Sequence, residues 1–563
     1  MKRQIIECVP NISEGKDQVV IDAVAAVVET VDGVKLLDVD PGIATNRTVI
    51  TFVGEPEPVI EAAFKLIKKA SELIDMSKHK GEHPRFGATD VCPLVPIANI
   101  TMEETVTYAH KLGKRVGEEL GIPGYFYENA AITAVRKNLA NCRAGEYEGL
   151  AKKLIDPDWK PDFGPAEFGK AKHSGVTAIS ARDFLVAYNI NLNTTSTRWA
   201  NAIAFDIRER GRIKREGGSL SGKIIKDSQG NPENVPGTLK SVKGIGWYIE
   251  EYGIAQLSLN LTNISITPVH IAFDEACKKA EARGIRVTGS ELVGLVPLQA
   301  MLDAGRYFLK KQQRSTGINE SELIKIAVKS LGLDDLKPFI PQEKIIEYML
   351  EAEESHPLIN MSLTDFANET AAESPAPGGG SIAAYAGVLG VSLGTMVANL
   401  SAHKRGWGDR WEEFSAWAEK GMVYQETLLH LVDEDTAAFN KIMDTFGLPK
   451  GNDEEKAVRQ QAIEEATKYA TEVPFKVLET AYNSMEVMKA MADFGNPNSI
   501  TDAGVGALCA RTAVRGALLN VKINAAGLKD REFANEILVK GDEIAAKAKA
   551  LEDQIMAMVE EKI

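Results

Sequence analysis

The chain has 563 residues, 44% hydrophobic and 26% charged, a soluble globular composition that excludes wholesale disorder and a multi-span membrane protein. At a typical domain size it holds roughly three to four folding units. Sixty-five Lys and Arg against 79 Asp and Glu leave a formal charge of -14, which argues against a whole-protein nucleic-acid footprint but not against a local basic site for an anion.

The N-terminus, MKRQIIECVPNISEG, lacks the apolar core of a signal peptide. The cysteines at 8, 92, 142, 277 and 509 form no CxxC pair. Scattered thiols of this kind point to a reduced, cytoplasmic protein with no zinc ribbon.

Short β-type runs then alternate with helical periodicity. Residues 5–9 read as a strand, 18–30 as a helix, 34–38 and 47–53 as strands, 58–74 as a helix and 91–95 as a strand. That β-α-β-β-α-β order is the split βαβ or ferredoxin-like arrangement. A further helix starts at the capping box Thr101 to Glu104.

The same order is expected again from residue 183. It has a strand at 184–191, a helix at 198–210, β-runs at 246–249 and 255–261, a helix with Pro268 in its first turn, and a strand at 293–296. Residues 214–238, rich in Gly, Lys, Asn and Pro, read as a long mobile loop. From Ser362 strand signals vanish and an all-α bundle is expected. The expected divisions are 1–182, 183–350, a charged linker at 351–361, and 362–563.

Residues 381–402 contain no charge and pass the length test for a membrane span, with Gly390 and Gly394 at the spacing of packed membrane helices. The segment is rich in Ala, Gly and Ser and stands alone. It therefore reads as a helix buried in the bundle.

The densest set of ionisable groups is His79-Lys80-Gly81-Glu82-His83-Pro84-Arg85. It contains the string H-x-x-E-H of some zinc proteases, but Gly81 and Pro84 oppose the helix that such a site needs. The set reads as an acid-base and anion turn, or as a plain surface turn. Asp40 at one strand end and Asn46 and Arg47 at the next could converge on one rim, or serve as turn residues. Gly218 to Ile224 falls short of a Walker loop, and Gly244 to Gly246 falls short of a dinucleotide fingerprint.

Pro375 to Ser381, with Gly378, Gly379 and Gly380, opens the uncharged helix. Such a start can bind an anion or merely punctuate the chain. On the helix near 426–443, Leu428, Val432, Asp435, Phe439 and Ile442 form one stripe, and Asp433 points elsewhere. A carboxyl within an apolar stripe is either paired for structure or raised in pKa, as a general acid requires.

ECVPNISEG (7–15), DVDPGIATNRTVITFVG (38–54), DMSKHKGEHPRFGATDVCPLVP (75–96), RAGEYEGL (143–150), PDFGP (161–165), GIGWY (244–248), GSELVGLVPL (289–298) and SPAPGGGS (374–381) resemble the formimidoyltransferase-cyclodeaminase family, in its bifunctional order. The resemblance implies two ferredoxin-like subdomains followed by a helical domain. It implies transfer of a formimino group from formiminoglutamate to tetrahydrofolate, then closure to methenyltetrahydrofolate with release of ammonia. The formimino donor could instead be formiminoglycine, and the helical half a methenyltetrahydrofolate cyclohydrolase.

By the same resemblance His83 is the proton donor of the transferase and Asp435 that of the cyclodeaminase. Gly164, Pro165, Ala166, Glu167, Phe168, Gly169, Lys170, Ala171, Lys172 and His173 correspond to the folate segment, though AEFGKAKH departs from the family's pattern. Asp40, Asn46, Arg47, Glu82, Arg85, Gly378, Gly379, Gly380, Ser381 and Asp433 are substrate-binding candidates. The co-substrate is expected to be a polyglutamylated tetrahydrofolate. No metal, nucleic acid or membrane is expected, and a homo-oligomer is expected through both halves.

Overall fold

The computed structural model describes residues 4–42, 46–80, 85–218, 222–351 and 357–563. Glu82 and His83 lie outside the described residues, as do residues 352–356 of the charged linker. The chain divides into two compact units, 1–300 with 332–350 and 301–331 with 351–563.

The first unit opens with β1 (Ile5–Cys8), β2 (Asn11–Ile12), α1 (Gln18–Ala25), β3 (Val34–Gly42), β4 (Arg47–Gly54), α2 (Pro56–Leu73) and β5 (Thr89–Ala98). It continues with α3 (Met102–Arg115), β6 (Gly124–Glu128), α4 (Leu139–Arg143), α5 (Glu146–Lys153), α6 (Phe168–Ala171) and β7 (Thr177–Ala181). β1 and β2 both sit between β4 and β5, β3 forms one edge beyond β4, and these neighbours are antiparallel. β7 and β6 extend the sheet in parallel, so it is mixed.

The local signals are visible in the caps. Asp17 accepts from the N–H groups of Val19 and Val20 to start α1, which stops at Ala25 rather than running to residue 30. Thr101 and Glu104 form the expected capping box of α3. Ile6, Phe52, Leu66, Ile67 and Leu112 fill the core between this sheet and its helices.

A second sheet follows in the same unit. Its elements are β8 (Val186–Leu192), α7 (Thr197–Ile207), β9 (Arg212–Ile213), β10 (Asn234–Val235), β11 (Val242–Ile249), β12 (Ile254–Leu261), α8 (Val269–Glu281) and β13 (Val287–Val293). The four long strands are antiparallel in the order β11-β12-β8-β13.

Three expectations are corrected here. The closing strand ends at Val293 instead of starting there, because Gly294 takes a left-handed φ of 81°. Pro268 is the cap of α8 rather than its first turn, and the Thr267 hydroxyl before it donates to the Lys240 carbonyl at 2.7 Å. The stretch 214–238 is not featureless: β9 and β10 pair as a short ribbon at its base, and Asp227 accepts from the N–H groups of Gln229 and Asn231.

The chain then runs through α9 (Leu298–Lys311), α10 (Glu320–Leu331), α11 (Pro341–Lys344), α12 (Ile346–Glu351) and α13 (Leu363–Thr370). The long helices are α14 (Gly379–Ala402), α15 (Trp411–Phe446), α16 (Asp453–Phe494), α17 (Ile500–Ala526) and α18 (Arg531–Lys562). Leu428, Val432, Val477, Met485, Met488 and Val514 form their common core. Residues 301–331 group with these helices because the Thr316 N–H donates to Ser415 Oγ at 3.0 Å and Asn399 Nδ2 to the Gly317 carbonyl at 2.8 Å.

α14 is long and apolar enough to cross a membrane, with a mean hydropathy of 1.6, yet most of that stretch is buried inside the bundle. Its glycines permit this. A Cβ on Gly390 would lie 2.7 Å from the Gly506 carbonyl oxygen, and one on Gly506 would lie 2.8 Å from that of Gly390. α14 and α17 thus cross backbone to backbone, an approach that any larger side chain would prevent.

Candidate active sites

The first site is built from the residues flanking 81–84. Arg85 is buried, and its Nη1 donates to Glu146 Oε2 at 3.1 Å and Glu148 Oε2 at 3.0 Å. Its Nη2 donates to Glu148 Oε1 at 2.8 Å. The Glu148 carboxylate raises the Arg85 pKa, and Arg85 in turn lowers that of Glu148. Arg85 therefore arrives with its charge already paired.

Arg85 Nε, which can only donate, points at His79 Nδ1 at 3.3 Å. That nitrogen must accept, so the ring proton sits on Nε2 and is donated to the Asn46 carbonyl at 3.0 Å. Burial lowers the His79 pKa further and keeps the ring neutral.

Asn46 joins three segments. Its Oδ1 accepts from Gly15 N–H at 3.0 Å, and its Nδ2 donates to the Lys80 carbonyl at 2.9 Å. Its φ of 49° is one that Asn tolerates better than most residues. Arg47 is partly buried and turned toward other side chains. It donates to Asn11 Oδ1 at 2.9 Å and to the fully buried Asp90 at 3.0 Å, and Arg143 reaches the same Asp90 oxygen at 2.5 Å. Asp40 lies exposed on β3, opposite Val49.

The expected folate segment adjoins this turn. The His173 carbonyl accepts from Met76 N–H at 2.8 Å, and that of Lys172 accepts from the Tyr147 hydroxyl at 2.5 Å. Phe168 packs against Tyr147 with ring centroids 6.0 Å apart, and Ala171 is buried. Gly164 has a φ of 74°, and a Cβ there would overlap the Ile122 carbonyl. Pro165 and Ala166 are half-buried, Glu167, Gly169 and Lys172 are exposed, and Lys170 lies in α6. Lys80, Arg85, Gly145, Glu146 and Glu148 line a surface depression of about 460 Å³. Glu146, Glu148, Asp90 and Arg143 were not singled out from the sequence, although the segments RAGEYEGL and ATDVCP carry them.

Glu7 on β1 is also buried, and desolvation pushes its pKa up to about 7 from an ordinary 4.5, opposed by Arg182. A raised pKa favours the protonated carboxyl, so its stabilising effect is complete below about pH 4.5 and fades as pH rises through about 7. Glu7→Gln is expected to flatten the fall in stability between pH 5 and 8, by up to roughly 3 kcal/mol for a shift of this size. Thermal melts of wild type and variant across that range check it. Parallel curves would show that Glu7 ionises normally.

The second site lies in the helical unit. α15 carries Asp435 across the start of α14, so closely that a Cβ on Gly380 would overlap the carboxylate. Gly378 caps α14, and Gly379, Gly380 and Ser381 form its first turn. Burial raises the Asp435 pKa, and hydrogen bonding from the Ser381 backbone N–H only partly offsets this. The Ser381 hydroxyl donates to the Val432 carbonyl at 2.8 Å, which locks α14 against α15.

The apolar stripe is only half as expected. Leu428 and Val432 are buried, but Phe439 is 42% exposed and lines a cavity of about 130 Å³ beside Asp435. Asp433 faces a different neighbour, accepting from the N–H groups of Leu358 at 2.9 Å and Ile359 at 3.3 Å. Asn520 and Asn524 complete the cavity wall. They had no sequence signal, since α17 reads as an unremarkable Ala-rich helix.

Comparison with known proteins agrees with this two-part layout. Residues 5–182 match the formiminotransferase domain, N-terminal subdomain, residues 187–351 the formiminotransferase domain, and residues 362–543 the formiminotransferase-cyclodeaminase model. The formimidoyltransferase-cyclodeaminase of Gallus gallus is 43% identical over 99% of both chains. The glutamate formimidoyltransferase of Streptococcus pyogenes is 41% identical over 54% of this chain and 94% of its own. The methenyltetrahydrofolate cyclohydrolase of Methylorubrum extorquens is 38% identical over 36% of this chain and 98% of its own. With its full length shared at this level and both halves present in order, the chain belongs to the bifunctional formimidoyltransferase-cyclodeaminase family.

Proposed function

We propose that the first unit transfers the formimino group of N-formimino-L-glutamate to tetrahydrofolate, releasing glutamate, and that the helical region closes the product to 5,10-methenyltetrahydrofolate, releasing ammonia. The observation that carries the reading is the full-length match to the bifunctional relatives. It is supported by a half-buried carboxyl of raised pKa beside a cavity in the helical half. In the second reaction the folate N10 attacks the formimino carbon, forming one C–N bond. The N10 proton passes to the imino nitrogen, the bond between that nitrogen and the carbon then breaks, and ammonia leaves with a second proton supplied by Asp435 while the carbon keeps its bonds to N5 and N10. In the first reaction the glutamate amine leaves in the same way, protonated by His83.

The order β11-β12-β8-β13 around two crossover helices supports a ferredoxin-like subdomain, and the first part of the β3-to-β6 sheet supports another. We place the domain limits at 1–182, 183–350 and 362–563. All five cysteines are free, which supports the cytoplasm as the compartment. The tetrahydrofolate is taken as polyglutamylated.

The similarity to a cyclohydrolase favours a second reading of the helical half, as methenyltetrahydrofolate cyclohydrolase. Incubation with formiminoglutamate and tetrahydrofolate separates the two. Methenyl absorbance and ammonia rising together support the deaminase. Hydrolysis of supplied methenyltetrahydrofolate without ammonia release supports the alternative.

A homo-oligomer through the helical region is part of this reading. The outer face of α14 exposes Leu389 (47%) and Leu400 (46%), continued on α17 by Val505 (48%) and Leu508 (42%). An uncharged stripe meets its own copy across a two-fold without like-charge repulsion, so a second copy of this chain is its occupant. Leu389→Lys is expected to shift the protein to a smaller species in sedimentation at unchanged helical content. An unchanged sedimentation coefficient would place the interface elsewhere.

A further inference from the structure

The helical unit is not one stretch of chain. It takes residues 301–331 as well as 351–563, while 332–350 belong to the first unit. The chain therefore enters the helical unit twice, and the first entry falls inside the transferase-type match at 187–351. A cut in the linker at 351–361 would leave 301–331 attached to the transferase half and still seated among the helices.

Shared apolar burial does not account for that seat. Among the described residues, the common core of the long helices runs from Leu358 to Val559 and takes no side chain from α9 or α10. The contacts are polar and gather at the turn between those two helices, where Ser315 and Thr316 are buried. At the end of α14, His403 Nε2 accepts from the Ser315 N–H at 3.3 Å, and Asn399 Nδ2 donates to the Gly317 carbonyl at 2.8 Å. At the start of α15, the Thr316 N–H donates to Ser415 Oγ at 3.0 Å. The Thr316 hydroxyl gives its proton to the Glu419 carboxylate, which can only accept, so the Ser415 hydroxyl donates to Thr316 Oγ1 at 3.0 Å.

Gly317 completes the fit. A Cβ there would lie 2.4 Å from the Ala418 carbonyl carbon and 2.4 Å from the Glu419 nitrogen, so the backbone of the turn rests directly on the backbone of α15. We propose that the Ser315-Thr316-Gly317 turn is the docking element of the transferase half, that the corner where α14 ends and α15 begins is its receptor, and that the two halves stay together without the linker. The receptor is selective. It calls for a hydroxyl at one position and no side chain at the next. A buried polar group left without its partner costs more than an ordinary hydrogen bond contributes, so a turn lacking either feature is rejected.

The test cuts the full-length protein after it has folded. A site-specific protease sequence replaces residues 352–356, and the enzyme is cleaved there. The two pieces are expected to co-migrate in size exclusion at about 1 μM. Both activities should survive the cut, because the turn lies outside both candidate sites.

Gly317→Leu, with its activities and thermal midpoint checked before cleavage, is expected to separate into two species after it. Thr316→Val keeps the shape and removes the hydroxyl bonds to Ser415 and Glu419. It should raise the concentration at which the pieces separate by about tenfold, the scale of a lost buried hydrogen bond. If Gly317→Leu fails to fold, Thr316→Val is read alone. Pieces of the unsubstituted protein that separate on cleavage would overturn the proposal. Pieces of a folded variant that stay together as firmly as the unsubstituted ones would overturn it too, since the join would then lie elsewhere.

Discussion

Asp435→Asn is expected to lower ammonia release by about 10²–10⁴-fold, the usual scale of general acid catalysis, while transfer to tetrahydrofolate continues. The substitution keeps the volume beside Gly380, where there is no room for a larger group, and leaves an oxygen able to accept from Ser381. It removes only the proton. Because burial holds the Asp435 pKa above its ordinary value, the carboxyl stabilises the fold fully below its unfolded pKa. That contribution fades as pH rises through the folded pKa. The neutral amide has no such loss, so the variant's thermal midpoint should equal or exceed wild type at neutral and alkaline pH.

Asp433→Asn should behave in the opposite way. Its carboxylate accepts two backbone N–H bonds from Leu358 and Ile359, so stability should fall while the rate of deamination changes little. Paired rate and melting measurements on the two variants decide between them. A greater rate loss in Asp433→Asn would remove Asp435 from the proposed role.

His83→Ala is expected to reduce formimino transfer by a similar 10²–10⁴-fold and to leave deamination of supplied formiminotetrahydrofolate intact. An amine is a poor leaving group until protonated, and the surroundings narrow the choice of donor. His79 is neutral and holds its one ring proton in a bond to Asn46. Arg85 never gives up a proton, and its charge is taken by Glu146 and Glu148. The residues on both sides of 81–84 are thus fixed: Lys80 is held by its carbonyl and Arg85 by its guanidinium. Assaying each half-reaction separately, with the thermal midpoint as a control for folding, checks the prediction. Near-normal transfer in a folded variant would move the proton donor elsewhere.

Much of the architecture was legible in the chain because it is written in local signals. The capping box at Thr101, the strand alternation at 47–53, the glycine start of α14 and the loss of strand signal after Ser362 each depend on neighbours a few residues away. The position of Asp435 on its helix also followed from period alone. What surrounds it did not, since Gly380 and Asn520 come from helices distant in sequence.

The same limit explains the arginines. Arg47 and Arg85 read as substrate-binding candidates because periodicity carries no information about partners at long separation. Only the folded chain brings Asp90, Glu146 and Glu148 to them and satisfies their charge. The membrane-like helix is the clearest division. Composition set how apolar α14 is, but its place inside a bundle was decided by Gly506 on α17 meeting Gly390 at backbone distance. Likewise Pro474 stands inside α16, where it has no N–H for the carbonyl of Ala470. That its vacated carbonyl would orient Asn524 toward the cavity depended on α16 and α17 lying side by side, because an unsatisfied buried carbonyl takes whichever donor the tertiary fold brings within reach.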